Sequence, residues 1–274
     1  MPGLWDQSLY EGSAAHYANG RLPYPQRLVD MIQTQLELAG TERLLDLGCD
    51  PGNLTLLLAP LVERALGVDA DADMLRVASR AAEQRGLLNL EWKHCYAEDL
   101  DGGLGPFDVV TLAQSLHWMD QPVVAGQMRR LLRPGGYCLH LGATTHKGNS
   151  RTAEPRYPRP PRQAMTDLVQ RYLGPKRRAG QGFNVTAVNT ETQSLSGAGF
   201  SGPRVVTVPG GDRFTRSEDE VVASLFSLSS SAPHLFGTEL GQLEGDLRRL
   251  LRSTSETGLF SEVSNSMTLS IWSN

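Results

Sequence analysis

Between residues 43 and 143 the chain alternates short apolar runs with longer amphipathic ones, and nothing else in the sequence restricts the fold as much. RLLDLG (43–48) reads as a buried strand, and ALGVDA (65–70), LEWKHCYA (90–97), FDVVTLAQ (107–114) and YCLHLGA (137–143) as four more strands. LTLLLAPLV (54–62), ADMLRVASRAAEQRG (72–86) and VVAGQMRRLLRPGG (123–136) read as helices, the second closed by Gly86 and the third carrying its own stop. An earlier helix is predicted over 23–40, with Pro25 at its start, Leu28, Ile32 and Leu36 on one face and Gly40 as its end. Strands and helices joined by short connections imply βαβ units and a parallel, doubly wound sheet with helices on both faces.

The character of the chain changes after Gly142. Residues 144–162 are rich in proline and arginine and read as an extended loop or lid margin. A helix over 163–173, a glycine-rich stretch at 179–184, a helix over 190–200 and a sixth strand at 204–210 are expected next. Helices at 217–228 and 238–253 and a last strand over 262–272 complete the reading. The second half therefore supplies the last of seven strands of an α/β sheet, together with a C-terminal helical cap.

Composition removes several classes of function. Lys and Arg total 26 against 30 Asp and Glu, a formal charge of -4, which argues against a general nucleic-acid binder. Cys49, Cys95 and Cys138 are too few and too scattered for a disulfide framework or a zinc cluster, and are expected as small buried apolar groups. His94, His140, His146 and His234 lack metal-ligand spacing, so no metal is expected. No apolar run reaches the roughly 20 residues of a membrane span. MPGLWDQSLYEGS lacks the basic end and apolar stretch of a signal peptide, so a cytoplasmic chain with no membrane partner is expected, as a monomer or homodimer.

The strongest local signal is LLDLGCDPGN (44–53), followed by Asp69 at the end of the next strand. Glycines in a strand–turn–helix junction let backbone amides approach a ligand closely. An acid ending the second strand can accept both hydroxyls of a ribose. A dinucleotide fingerprint counted from Gly48 needs glycine at 50 and 53, where Asp50 and Asn53 stand, and the P-loop lysine is missing.

These residues resemble the class I S-adenosylmethionine-dependent methyltransferases, in particular the small-molecule group called type 11. LLDLGCDPGN is similar to the family's first motif, usually D-x-G-x-G-x-G, and GVDADADML to its second. YAEDL (96–100) resembles the adenine-binding loop, LAQSLHWMD (112–120) the segment after strand four, and MRRLLRPGG the turn before strand five. YANGRLPYP (17–25) resembles a segment that lies over the active site in enzymes similar to trans-aconitate methyltransferases.

The resemblance implies S-adenosylmethionine as cofactor, a small-molecule acceptor, possession of the donor site by 1–143, and an acceptor-side cap in 144–274. It assigns the methionine end to Asp46, Gly48 and the turn residues Cys49, Gly52 and Asn53. Asp69 would take the ribose, Ala70 and Met74 would pack on adenine, Ala97 and Glu98 would read its edge, and Gln114 would stand near the ammonium. His117 is the best-placed titratable group for a general base. Tyr17, Arg21, Tyr24 and Trp118 are expected around the acceptor, and SLFSLSSSAPHLFG (224–237) along its pocket. The arginines at 151, 156, 159 and 162, with Lys176, Arg177 and Arg178, are expected as solvated surface.

One position departs from the motif: Asp50 stands at its middle glycine. Asp tolerates the left-handed backbone region better than most residues. Its charge leaves two alternatives open beside methyl transfer: an enzyme of the same fold running another reaction, such as a cyclisation, or a non-catalytic binding protein with a weakened cofactor site.

Overall fold

The computed structural model describes residues 6, 8–149, 155–176, 178–179, 182–183 and 191–274. Strands β1 (Arg43–Leu47), β2 (Arg64–Asp69), β3 (Leu90–His94), β4 (Phe107–Ala113) and β5 (Leu132–Gly142) run parallel. Beyond a two-residue pair, β6 (Arg178–Ala179) with β7 (Gly182–Phe183), come β8 (Ser201–Val208), β9 (Arg213–Ser217), β10 (Leu259–Val263) and β11 (Met267–Ser273). The main sheet has the order β3-β2-β1-β4-β5-β11-β8, with β11 antiparallel to both its neighbours. This is the expected seven-stranded, mostly parallel α/β architecture.

Helices α1 (Ala14–Gly20), α2 (Gln26–Leu36), α3 (Thr55–Leu58), α4 (Ala72–Gln84) and α5 (Gln121–Leu131) belong to the first half. The second half adds α6 (Arg162–Leu173), α7 (Glu191–Gly197), α8 (Glu218–Phe226) and α9 (Leu240–Thr254). One face of the sheet buries Leu28, Ile32 and Leu58 against Leu44 and Leu139; the other buries Val124 and Met128 against Leu45 and Val110. A third cluster, around Phe226, Leu247 and Phe260, is the core of the cap. No helix among the described residues is long and apolar enough to cross a membrane.

Several boundaries differ from the sequence reading. The helix expected to 136 ends at Leu131, because Pro134 lacks an amide and disfavours helical backbone at Arg133; residues 132–136 already belong to β5. The helix expected to Gly40 closes at Glu37, which takes the left-handed conformation itself (φ 52°). The last strand, expected over 262–272, is two strands: β10 pairs with β9 beside the cap, and only β11 joins the main sheet. Between them Ser264 accepts the amides of Gly211 and Asp212, which turns the chain.

Two details hold the N-terminal helix and the cap together. Ser13 Oγ donates to the Phe226 carbonyl at 2.8 Å. Gly20 ends α1 against α8, where a Cβ would stand 2.4 Å from the Ala223 carbonyl carbon, so only glycine fits. Deeper in the cap, Glu262 receives Arg162 at 2.8 Å and Arg216 at 3.0 Å. Arg162 is therefore an ion-pair partner and not the solvated side chain expected; Arg151 and Arg177 lie outside the described residues.

Candidate active site

The C-terminal ends of parallel strands converge by construction, and a cavity opens there. It holds about 520 Å³ of empty space, its open mouth included, and reaches from Gly48, Asp50 and Asp69 past Ala97 to Gln114 and Trp118. Gly48 (φ 62°) lets the turn after β1 close tightly: a Cβ there would meet the Ser115 Cβ at 2.5 Å. Ser115 Oγ donates to the Leu47 carbonyl at 2.6 Å and fixes β4 to the base of that turn.

Asp69 closes β2 and faces the cavity. Its Oδ2 accepts the Asp50 amide and its Oδ1 the Asp71 amide, each at 2.8 Å. Burial and the nearby Asp50 push its carboxyl up to about 8. Asp50 also lines the cavity, with its backbone in the left-handed region (φ 52°). Its Oδ2 accepts the Tyr17 hydroxyl at 2.6 Å, and burial pushes its carboxyl up to about 6. Tyr17 stays a protonated phenol, because burial drives its own pKa well above the usual value.

Of the expected cofactor residues, Gly48, Asp69, Ala70, Ala97, Glu98 and Gln114 line this one cavity. Glu98 Oε1 accepts the Asp120 amide at 2.7 Å, which couples the loop after β3 to the start of α5. Gln114 is held in the left-handed region (φ 64°) and donates from Nε2 to the Tyr24 hydroxyl at 2.9 Å.

The other expected residues stand elsewhere. Asp46 does not reach the cavity: it is buried, with Thr55 and Thr111 hydroxyls on its two oxygens at 2.6 Å, and burial pushes it up to about 6. Met74 lies in a cluster with Leu9, Tyr10, Ala14 and Tyr17, so Tyr10 takes the cavity wall that Met74 was expected to form. Cys49, Gly52 and Asn53 belong to the turn but not to the lining, and Cys49 is buried.

Among the acceptor candidates only Trp118 lines the cavity. Tyr17 and Tyr24 act one layer behind, each gripping a lining residue. Arg21 lies over the Tyr17 ring at 4.1 Å and is tied to Ser227, to its hydroxyl at 2.9 Å and its carbonyl at 2.6 Å. The 224–237 segment supplies such anchors and no lining residue. His117 is exposed and outside the lining: in the short 116–118 turn Leu116 points to the core and Trp118 to the cavity, which leaves His117 facing out. The sequence reading missed Tyr10, Cys95, Tyr96, Ser115 and Met119. Tyr10 packs edge-on against Trp118 and Tyr17, a contact no local pattern announces.

Comparison with known proteins agrees with this geometry. A family profile described as a methyltransferase domain matches residues 44–136. The uncharacterized methyltransferase YcgJ of Bacillus subtilis is 32% identical over 110 residues, covering 40% of this chain and 43% of that protein. The ubiquinone biosynthesis O-methyltransferase of Methylococcus capsulatus is 36% identical over 110 residues, covering 39% and 46%. The chain thus spans about half the length, or less, of these curated relatives. The crystal structure of YcgJ superposes with a TM-score of 0.52 at 17% identity, over 91% of this chain and 99% of that one. The [4+2]-cyclase SpnF gives 0.52 at 16% identity, over 100% and 99%. At such identities the superpositions speak for the fold alone. The segment that matches the methyltransferase-domain profile contains the glycine turn, Asp69 and every cavity-lining residue except Tyr10.

Proposed function

We propose that this protein transfers a methyl group from S-adenosylmethionine to a small-molecule acceptor. The observation that carries the reading is Asp69: a carboxylate at the end of β2, oriented by two backbone amides and facing a cavity framed by the glycine turn. The donor set suits the cofactor's adenosine end. Asp69 would hold the ribose hydroxyls, Ala70 and Ala97 would border the base, and Glu98 would border its polar edge. The Gly48 turn and Gln114 would hold the amino-acid end. When bound, S-adenosylmethionine supplies a methyl group on a sulfonium, already activated for in-line displacement. A small-molecule acceptor is consistent with a relative named for ubiquinone biosynthesis.

The chain's own contribution is alignment and exclusion of water. Tyr10 and Trp118 wall the cavity toward α1, and Tyr10, pushed up to about 12 by burial, stays a neutral phenol there. Thr55 and Thr111 hold Asp46 and so brace β1 beneath the turn. His117 would act from outside the lining, by supporting Trp118, whose ring centroid is 4.8 Å from its own.

Calorimetric titration of S-adenosylmethionine into the protein and its Asp69→Ala variant tests the reading. Binding to the unaltered chain, weakened about a hundredfold or more in the variant, is expected, since the hydrogen bonds from both ribose hydroxyls to this buried carboxyl would be lost. Equal affinity in a folded variant would remove Asp69 from the ribose and take the reading with it.

A further inference from the structure

We propose that Asp50 is a specificity-determining residue that reads ligand charge: its carboxylate favours the sulfonium donor, S-adenosylmethionine, over the uncharged thioether product, S-adenosylhomocysteine. The proposal rests on the donor-site reading above.

Asp50 is an unusual residue for its place. It adopts a left-handed backbone that most residues avoid, and it brings a second carboxylate to a cavity that already contains Asp69. The groups facing it come from every neighbouring element: Tyr10 ahead of α1, Tyr17 from α1, Arg21 and Tyr24 just beyond it, Asp46 from β1, Cys49 from the turn, Asp69 from β2 and Asp71 ahead of α4. Its hydrogen-bond partner is the neutral Tyr17 phenol. Arg21, the cation in this set, is committed to Ser227 and to the face of the Tyr17 ring. Asp50 is thus oriented without being neutralised by an ion pair among the described residues.

Donor and product differ by one methyl group and one positive charge, so every contact they share cancels in the ratio of their affinities. Asp50 lines the cavity, so a charge bound there lies on the order of 10 Å from it or nearer. At an effective dielectric near 20, one unit charge at that range changes affinity on the order of tenfold. The effect needs no direct contact with the sulfur. It requires only that Asp50 be ionised, which it is above about pH 6. The share of the preference that Asp50 supplies is therefore present above that pH and lost as the pH falls through it. Near neutrality Asp69 retains a proton that an incoming cation helps to expel, so donor binding should release more protons than product binding.

The test is calorimetric titration of both ligands at pH 8 and pH 5.5 into the unaltered protein, Asp50→Asn and Tyr17→Phe, with thermal melts to confirm folding. The preference for donor over product at pH 8 is expected to fall about tenfold in Asp50→Asn, with product affinity within twofold of the original. Tyr17→Phe keeps the carboxylate and should keep the preference. An unchanged ratio in Asp50→Asn, or an equal loss in Tyr17→Phe, overturns the proposal. If Asp50→Asn does not fold, Asp50→Gly, which suits the left-handed backbone, takes its place in the same titrations, and an unchanged ratio there overturns the proposal. Failure of both ligands to bind the unaltered chain overturns the donor-site reading itself, a result distinct from binding without discrimination.

Discussion

The cap and the cavity each bury acids, and they treat them in opposite ways. In the cap, Glu262 is flanked by Arg162 and Arg216 and accepts the Gly148 amide, and these partners hold its carboxyl below the usual range despite burial. Around the cavity, Asp46, Asp50 and Asp69 receive threonine hydroxyls, a tyrosine hydroxyl and backbone amides, and burial pushes all three up. Neutral donors orient a carboxylate but leave its charge in place. The cap settles its electrostatics as it folds, whereas the cavity leaves part of that work to a ligand.

The comparison breaks most visibly in the cap. Glu262→Gln should cost about 3–5 kcal/mol in denaturant unfolding, because it strands Arg216, whose side chain is 3% exposed, without its carboxylate. A loss under about 1 kcal/mol would mean the triad is not the closed unit described. A smaller effect is expected beneath the cavity. Thr111→Val removes the hydroxyl on Asp46 Oδ1 and should cost about 1–3 kcal/mol, with loss of cofactor affinity secondary to it.

The smallest effect is a slope. Asp46, Asp50 and Asp69 have folded-state pKa values above their ordinary value, so the folded chain binds more protons than the unfolded one between roughly pH 4 and 8. Their contribution to stability is present at low pH and is lost as the pH rises through about 6 and then about 8. The ligand-free protein should therefore melt lower at pH 8.5 than at pH 6. Asp50→Asn should flatten the lower part of that slope, and a melting temperature rising over the same interval would contradict the raised values.

What the sequence disclosed follows from where its information is local. Four of the five parallel strands were legible as short apolar runs, and β3, LEWKH at the sheet edge, from its place between a helical stretch and the next strand. Asp69, Ala70, Ala97 and Gln114 lie at or just past strand ends, which parallel strands bring together. Inside that frame the errors concern side-chain direction. Asp46 sits within β1, where alternate residues face opposite sides of the sheet, and it points at Thr55 and Thr111 instead of the cavity. His117 and Trp118 are adjacent and their rings touch, yet only Trp118 reaches the cavity while His117 stays exposed behind it. Elements held by distant contacts were illegible. The seven residues of α1 show no useful stripe and are kept by Ser13, Tyr17 and Gly20 reaching the cap and the glycine turn. The β9–β10 pair joins Phe260 to Arg216 across a stretch of chain that carries two helices.

Gly20 has a consequence for anyone who would re-engineer this chain. The helix it ends touches the backbone of α8 and, through Tyr17, the turn that frames the cavity, so the cap and the cavity meet in seven residues of N-terminal sequence. A chimera that imports a foreign cap while retaining these residues would ask α1 to fit a helix surface it was not shaped for. The exchangeable module is therefore discontinuous: the cap has to travel with the segment that begins at Ser13.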